Sequence, residues 1–174
     1  MDDIEIVEYD PRWPVLFAEE AARLRAVLDP DLVVGLEHFG STAVPGLAAK
    51  PIIDILIAVR SLDEARTTAI QPILGLGYVF WEDNPEPDHM FFVKGMPPYG
   101  ERRTHHIHIT EPAGERWGQR LFPQYLRAHP EEALRYAALK RALAARHRAD
   151  REAYTDAKAD YIRGILAKAR LEAM

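Results

Sequence analysis

A turn of small residues, with a lysine downstream, has the local chemistry needed to hold phosphate. Gly40, Ser41 and Thr42 directly follow a predicted strand, where backbone N–H groups and hydroxyls can bind phosphate oxygens. Lys50 follows Ser41 by nine residues and could neutralise the same anion. Taken alone, a Gly-Ser pair is more often an ordinary turn, and a lysine is often simply exposed.

Asp54 interrupts an apolar, β-branched run at residues 52–59. Such a run predicts a strand that is buried on both faces. A carboxylate within it must be paired, protonated or bound to a metal ion, because an unpaired buried charge is costly. Side chains alternate along a strand, so Leu56 shares the face of Asp54. The alternative is a structural carboxylate that pairs with an arginine or caps the loop.

Three histidines lie on a later predicted strand. His106 and His108 share one face, whereas His105 points to the other face with isoleucines. Two imidazoles at this spacing can bind Zn²⁺ or Mn²⁺, or transfer protons near neutral pH. We therefore predict Asp54, His106 and His108 as catalytic and metal-binding residues, and His105 as a hydrogen-bonded core residue. His38, just before the Gly-Ser pair, is a further contributor.

Two pairs in the C-terminal part repeat a Tyr-then-Lys spacing of four, Tyr136/Lys140 and Tyr154/Lys158. Each pair shares a helix face. Snorkelling of the lysine along an apolar stripe explains this adequately, and the alternative is contact with an anionic ligand. The remaining histidines, His89, His129 and His147, show no comparable pattern and are predicted to lie on the surface.

The elements that must position these residues follow from periodicity and capping signals. Predicted strands cover residues 32–39, 52–59, 78–81, 90–94 and 103–110. Predicted helices cover residues 13–28, run from a Ser61 cap to near Gly75 or Gly77, and form about three helices after residue 113, with starts at Pro130 and Asp150. This order predicts a single α+β domain, in which a mixed sheet with helices (1–112) precedes a helical segment (113–174).

Composition and charge exclude several classes of protein. The chain has 174 residues and no cysteine, which rules out disulfide scaffolds, thiolate metal sites and cysteine nucleophiles. Residues 1–112 carry a net charge of −10 and residues 113–174 a net charge of +5, without the concentrated basic stripe of a nucleic-acid-binding domain. The acidic N-terminus lacks the features of a signal peptide, and no apolar run could span a membrane. We therefore expect a cytoplasmic protein.

The string HFGSTAVPGLAAKPIIDILI resembles the signature of the GrpB family, within the polymerase-β-like nucleotidyltransferase superfamily. The similarity extends through RRTHHIHIT to LRAHPEEALRYAALKRALA and AYTDAKADYI, which is nearly the whole chain. It implies a nucleotidyltransferase fold, a small mixed sheet flanked by helices with a C-terminal helical segment. It also implies that Gly40 and Ser41 hold nucleotide phosphates and that Asp54 is the first metal-binding acid.

The sequence departs from the superfamily pattern, because Leu56 occupies the position of the second acid and the His106/His108 strand that of the third. One carboxylate and two imidazoles could hold one divalent ion, which makes a standard two-Mg²⁺ mechanism doubtful. Arg103, Tyr136, Lys140 and Lys158 are secondary candidates for the site.

The sequence leaves three functions open. The first is metal-dependent nucleotidyl or phosphoryl transfer, with Mg²⁺, Mn²⁺ or Zn²⁺ as the ion, no organic cofactor, and a nucleotide or phosphorylated metabolite as the partner. The second is a catalytically inactive module that binds such a ligand. The third is a His-centred metal-dependent hydrolase. Fusion of family members to dephospho-coenzyme A kinase implies a link to coenzyme A metabolism.

Overall fold

The computed structural model describes residues 4–174, so residues 1–3 of the acidic N-terminal segment lie outside it. The helices are α1 (Trp13–Val27), α2 (Leu62–Thr68), α3 (Ile70–Leu74), α4 (Glu115–Gly118), α5 (Leu121–Ala128), α6 (Pro130–Arg146) and α7 (Arg151–Glu172). The strands are β1 (Val33–Phe39), β2 (Ile53–Val59), β3 (Tyr78–Phe80), β4 (Met90–Lys94) and β5 (His105–Thr110). The predicted α+β fold is confirmed.

The five strands form one mixed sheet in the order β1-β2-β5-β4-β3. Strands β2 and β5 are parallel, and the other neighbouring pairs are antiparallel. Strand β2 lies between β1 and β5, so both of its edges are hydrogen-bonded. Its apolar side chains are buried on both faces of the sheet. Side chains on β2 and β5 are therefore held in place by neighbouring strands on both sides.

The two faces of the sheet are covered by different helices. One face packs on α1, α2 and α3 through a core that includes Leu24, Ile55, Ile73 and Ile107. A second core joins the loop after β1 to α5, α6 and α7. Trp117 of α4 packs against the other face of the sheet, where a Cβ at Gly35 would lie 2.7 Å from the indole.

Local signals in the sequence set several element boundaries. The Ser61 side chain accepts a hydrogen bond from the amide of Glu64, and that of Asp150 accepts one from the amide of Ala153. Both N-caps are as predicted. Pro130 occupies the first turn of α6, where its missing N–H leaves no bond unmade.

Two element predictions were wrong. The helix after Ser61 is split at Ala69 into α2 and α3, because Pro72 lacks the amide hydrogen that a continuous helix requires. The C-terminal segment has four helices rather than about three, the short α4 being additional. No helix within residues 4–174 has the length and apolar character needed to span a membrane.

A buried carboxylate on α1 ties this helix to the sheet. Glu20 is fully buried and accepts hydrogen bonds from Tyr78 (2.8 Å), Lys94 (2.8 Å) and Arg23 (2.9 Å). Burial alone would raise the pKa of Glu20, but the bonds from these three partners outweigh it and lower the pKa below its usual range.

We predict that Glu20→Ala lowers the free energy of unfolding by about 2–4 kcal/mol, because it leaves the buried Tyr78 hydroxyl and the partly buried Lys94 amine without this acceptor. The lowered pKa means that the contribution of Glu20 is complete above pH 4.5 and is lost as the pH falls further. Urea unfolding at pH 7 and pH 3.5 measures both effects. The control is Glu19→Ala, which alters an exposed neighbour, and equal losses in the two variants would contradict the prediction.

Candidate functional site

The Gly-Ser turn lies directly over Asp54. Strand β1 ends at Phe39, Gly40 has a φ of 74°, and Ser41–Ala43 form a short 3-10 turn. A Cβ at Gly40 would lie 2.5 Å from the Asp54 Oδ2 atom. Glycine is therefore required twice, once for the backbone conformation and once for the close approach.

Asp54 and His106 are neighbours on the parallel strands β2 and β5. The His106 Nδ1 atom lies 3.1 Å from Asp54 Oδ1, and both side chains are largely shielded from solvent. With Nδ1–H donating to the carboxylate, the imidazole presents Nε2 as a lone-pair nitrogen. This Nε2 is buried and has no hydrogen-bond partner within residues 4–174, so it is available to a metal ion or to a ligand.

His108 lies on the same face of β5 and joins the first two residues. One potential ligand atom from each of Asp54, His106 and His108 lies within 4.8 Å of the others. Burial holds the pKa of His108 well below its usual range, which keeps this imidazole neutral and able to coordinate a metal. A carboxylate with two imidazoles fits a single divalent ion, so the predicted residues are brought together as a candidate metal centre.

Three lysines line the same cavity as Asp54 and His106. The amines of Lys50 and Lys158 lie 5.1 and 4.3 Å from the centre of the Tyr154 ring, and that of Lys140 lies 4.7 Å from the centre of the Tyr136 ring. These are cation–π distances. Burial and the neighbouring lysines lower the pKa of Lys140 and of Lys158 to about 7 in each case. Both burial and the mutual repulsion of the amines therefore disfavour the charged forms of Lys140 and Lys158.

Snorkelling was the wrong explanation for Lys140. Its side chain is only 2% exposed, and its amine donates a hydrogen bond of 2.5 Å to the carbonyl of Ala48. Ala48 lies in the loop between β1 and β2. The Lys140 amine points from α6 toward this carbonyl and not toward solvent.

The cavity that these residues line has a volume of about 260 Å³, slightly below the usual range for ligand pockets. Its lining combines the turn, the Asp54–His106 pair, the three lysines and two tyrosines. In full, the lining residues are Phe39, Gly40, Ser41, Thr42, Lys50, Ile52, Asp54, His106, Gln119, Phe122, Tyr136, Lys140, Tyr154, Thr155, Lys158 and Ile162.

His38 faces away from the metal centre, because alternation along β1 puts its side chain on the opposite face of the sheet. Its ring stacks on Phe17 at 4.7 Å, and its Nε2 bonds to the Thr42 hydroxyl. Thr42 in turn donates to the carbonyl of Ile52. Thr42 lines the cavity, but its hydroxyl proton is already donated to a backbone carbonyl of the loop. Burial lowers the pKa of His38 to about 4.

Arg103 lies outside the cavity as well. It lines a small cleft with Lys50, Arg102 and Arg151. His105, expected in the core, is only half-buried and bonds to the Thr104 hydroxyl, because it lies at the end of β5.

Sequence reasoning missed two supporting residues. His89, predicted on the surface, is 6% exposed and bonds to His108. Arg127 donates two hydrogen bonds, of 2.9 and 2.7 Å, to the carbonyl of Ala43 and so holds the turn from α5. Neither residue belongs to a motif with the site residues, and the only signal for His89 was its position immediately before β4.

The description "GrpB protein" applies to a family that matches residues 3–168 of this chain. The chain belongs to the GrpB family. It is 51% identical over 97% of its length to a UPF0157 protein of Pseudomonas aeruginosa, of which it covers 68%. The "Glutamate-rich protein GrpB" of Alkalihalophilus pseudofirmus is 30% identical, and 94% of each chain is covered.

A GrpB-family crystal structure, "conserved protein GrpB from Enterococcus faecalis", superposes with a TM-score of 0.85 at 31% identity. The match covers 97% of this chain and 99% of that one. A further relative, named dephospho-CoA kinase in Mycolicibacterium paratuberculosis, is 30% identical over 95% of this chain, which spans 46% of that protein.

We predict that Gly40→Ala disrupts the Asp54–His106 pair, because the new methyl group would displace the carboxylate. The free energy of unfolding should fall by about 1–3 kcal/mol from the combination of backbone strain and the close contact. Thermal unfolding measures the loss, and the ring ¹⁵N chemical shifts of His106 report whether its Nδ1 still contacts Asp54.

The matched control is Gly46→Ala, where φ is 78° but nothing lies within 4 Å of the new Cβ. Gly46→Ala should show the strain alone and leave the ring ¹⁵N chemical shifts of His106 unchanged. Unchanged His106 ring shifts in Gly40→Ala would contradict the prediction.

Proposed function

We propose that this protein binds a nucleotide or another phosphorylated small molecule in the cavity and transfers a nucleotidyl or phosphoryl group with a divalent metal ion. One observation carries the proposal: the Gly-Ser turn, the Asp54–His106 pair and three lysine amines line the same cavity. Phosphoryl transfer depends on the positioning of charge and its stabilisation, and this lining supplies groups for both.

The charge of the lining favours an anion. Asp54 is the only carboxylate among the lining residues, and it faces Lys50, Lys140 and Lys158. The Tyr154 hydroxyl is buried without a hydrogen-bond partner within residues 4–174, and the Lys158 amine lies over the ring of the same tyrosine. A phosphate would supply acceptors for both groups and offset the repulsion among the amines.

Asp54 and His106 supply the reactive side of the cavity. Asp54 holds the His106 ring by its Nδ1–H, which fixes the tautomer and leaves Nε2 as a base or a metal ligand. A bound divalent ion would polarise a phosphoryl oxygen and offset the charge that develops there. Ser41 and the backbone of the turn would orient the phosphate against this side.

A specific observation favours a second candidate, ligand binding without catalysis. Leu56, which replaces the second acid, is fully buried beside the site, so Asp54 is the single carboxylate of the candidate metal cluster among residues 4–174. The resemblance to a dephospho-CoA kinase chain supports a ligand related to coenzyme A for either candidate.

We predict that Lys158→Met weakens the binding of phosphorylated ligands about 10- to 100-fold, as for the loss of a charge-assisted bond of 1.5–3 kcal/mol. It should also raise the free energy of unfolding at pH 7 by about 1 kcal/mol, because a buried charge is replaced by an apolar side chain. Calorimetric titration with pyrophosphate and thermal unfolding measure the two effects. The control Arg163→Met removes an exposed charge from the same helix and should change neither quantity.

The pH dependence of the same binding has a defined sign. Because the pKa of Lys140 and of Lys158 is about 7, both amines gain charge as the pH falls from 8 to 6. Affinity for sulfate, whose charge is constant over this range, should therefore rise several-fold. The dependence should be weaker in Lys158→Met, and a flat profile in the wild type would contradict the prediction.

Transfer itself is tested with ATP, GTP, CTP, UTP and coenzyme A, each with Mg²⁺, Mn²⁺ or Zn²⁺. We expect one ligand to raise Tm in a metal-dependent way, because a ligand at 100 times its Kd adds about 2.7 kcal/mol to the free energy of unfolding. We also expect that ligand to be turned over. Asp54→Asn should abolish both the metal dependence and the turnover. Tight binding without product under any metal would overturn transfer and leave the binding candidate. A metal shift without any ligand shift would instead favour a His-centred hydrolase.

A further inference from the structure

His89 is a buried titratable residue to which the proposed function assigns no role. It lies just before β4, and its Nε2 is 2.8 Å from the Nδ1 atom of His108. The two ring planes are nearly parallel, 9° apart. The bond occupies Nδ1 of His108, so the nitrogen that His108 can offer to a metal ion is Nε2.

The other side of the His89 ring has a partner for either tautomer. Asn84 can donate to Nδ1 at 3.1 Å, and its amide orientation is fixed by the His89 carbonyl (2.9 Å) and the Glu86 amide (3.2 Å). The Glu86 carboxylate lies 3.3 Å from the same Nδ1 atom and can accept from it. Arg116 holds Glu86 in place.

The His89 tautomer that allows His108 to bind a metal ion is the one in which the Glu86 carboxylate accepts a hydrogen bond from His89 Nδ1–H. His89 then donates Nδ1–H to Glu86 and accepts the Nδ1–H of His108 at its own Nε2. His108 is left with a lone pair on Nε2, as coordination requires. Imidazoles that bind metals generally donate their other N–H to an acceptor of this kind.

We propose that His89, backed by Glu86, is a positioning residue that holds His108 in the tautomer that binds a transition-metal ion. This inference rests on the metal site of the proposed function and adds the class of ion. Two imidazole nitrogens and one carboxylate are the donors of Zn²⁺-type ions, whereas Mg²⁺ takes oxygen ligands.

The experiment is a competition titration of the full chain with Zn²⁺ and Mg²⁺ against a chromophoric chelator, without any nucleotide. The wild type should bind one Zn²⁺ and bind Mg²⁺ far more weakly. His89→Phe keeps a ring beside Phe91 but removes the bond, and Zn²⁺ affinity should fall about 10- to 100-fold. His89→Gln retains an acceptor for His108 and should recover part of the loss.

The matched control is His147→Phe, because His147 lies at the end of α6 outside the cluster and should bind Zn²⁺ as the wild type does. Circular dichroism and thermal unfolding establish that each variant is folded. Co²⁺ replaces Zn²⁺ in a second readout, since its visible spectrum should change in His89→Phe and return in His89→Gln.

Each failure is distinguishable from failure of the proposed function. Wild-type Zn²⁺ affinity in folded His89→Phe, or a preference for Mg²⁺, would overturn the inference. Absence of metal binding by the wild type would overturn it together with metal-assisted transfer. Pyrophosphate binding, measured separately in a metal-free buffer, tests the anion site alone. If the wild type does not bind pyrophosphate, the proposed ligand class is overturned and the role of His89 is unaffected.

Discussion

The contact between Asp54 and His106 is the interaction on which the site depends. It joins the two parallel strands of the sheet interior at one register position, so its geometry is set by backbone hydrogen bonds on both sides. A carboxylate is tolerated within an otherwise apolar strand because this imidazole partners it. The turn over Asp54 must then contain glycine, since any side chain at position 40 would meet the carboxylate.

The rest of the molecule supports this contact from two directions. On one face of the sheet, helix α1 is held by the Glu20 cluster and by a continuous apolar core. The helical segment after β5 brings Lys140, Lys158 and two tyrosines over the loop that carries Lys50, and Lys140 is bonded there to the Ala48 carbonyl. The Asp54–His106 pair therefore lies between a sheet that is packed on α1, α2 and α3 and the helices that carry Lys140 and Lys158.

Local signals in the sequence predicted much of this arrangement. Capping at Ser61 and Asp150, the apolar run of β2 and side-chain alternation on β5 predicted the strands, most of the helices, and the grouping of Asp54, His106 and His108. Contacts between distant residues were not predictable in this way. His89 and Arg127 act through partners 19 and 84 residues away, and single-sequence periodicity carries no information about such pairs.

Lys140 shows that a visible local pattern can also be misinterpreted when a distant contact decides the outcome. Its position on a helical stripe was visible in the sequence, but the stripe also suited a snorkelling side chain. The deciding feature is the acceptor on the Ala48 carbonyl, which belongs to a loop 92 residues earlier. Burial of the charge is therefore a tertiary effect.

The crowded amines of the cavity have a consequence for the exchange of protons with solvent. Near neutral pH, Lys140 and Lys158 each exist as a mixture of charged and neutral forms. An anion bound between them would stabilise the charged form, so its binding would draw protons from the buffer. Binding and proton uptake would then be one linked equilibrium, and the heat of binding would depend on the ionisation enthalpy of the buffer.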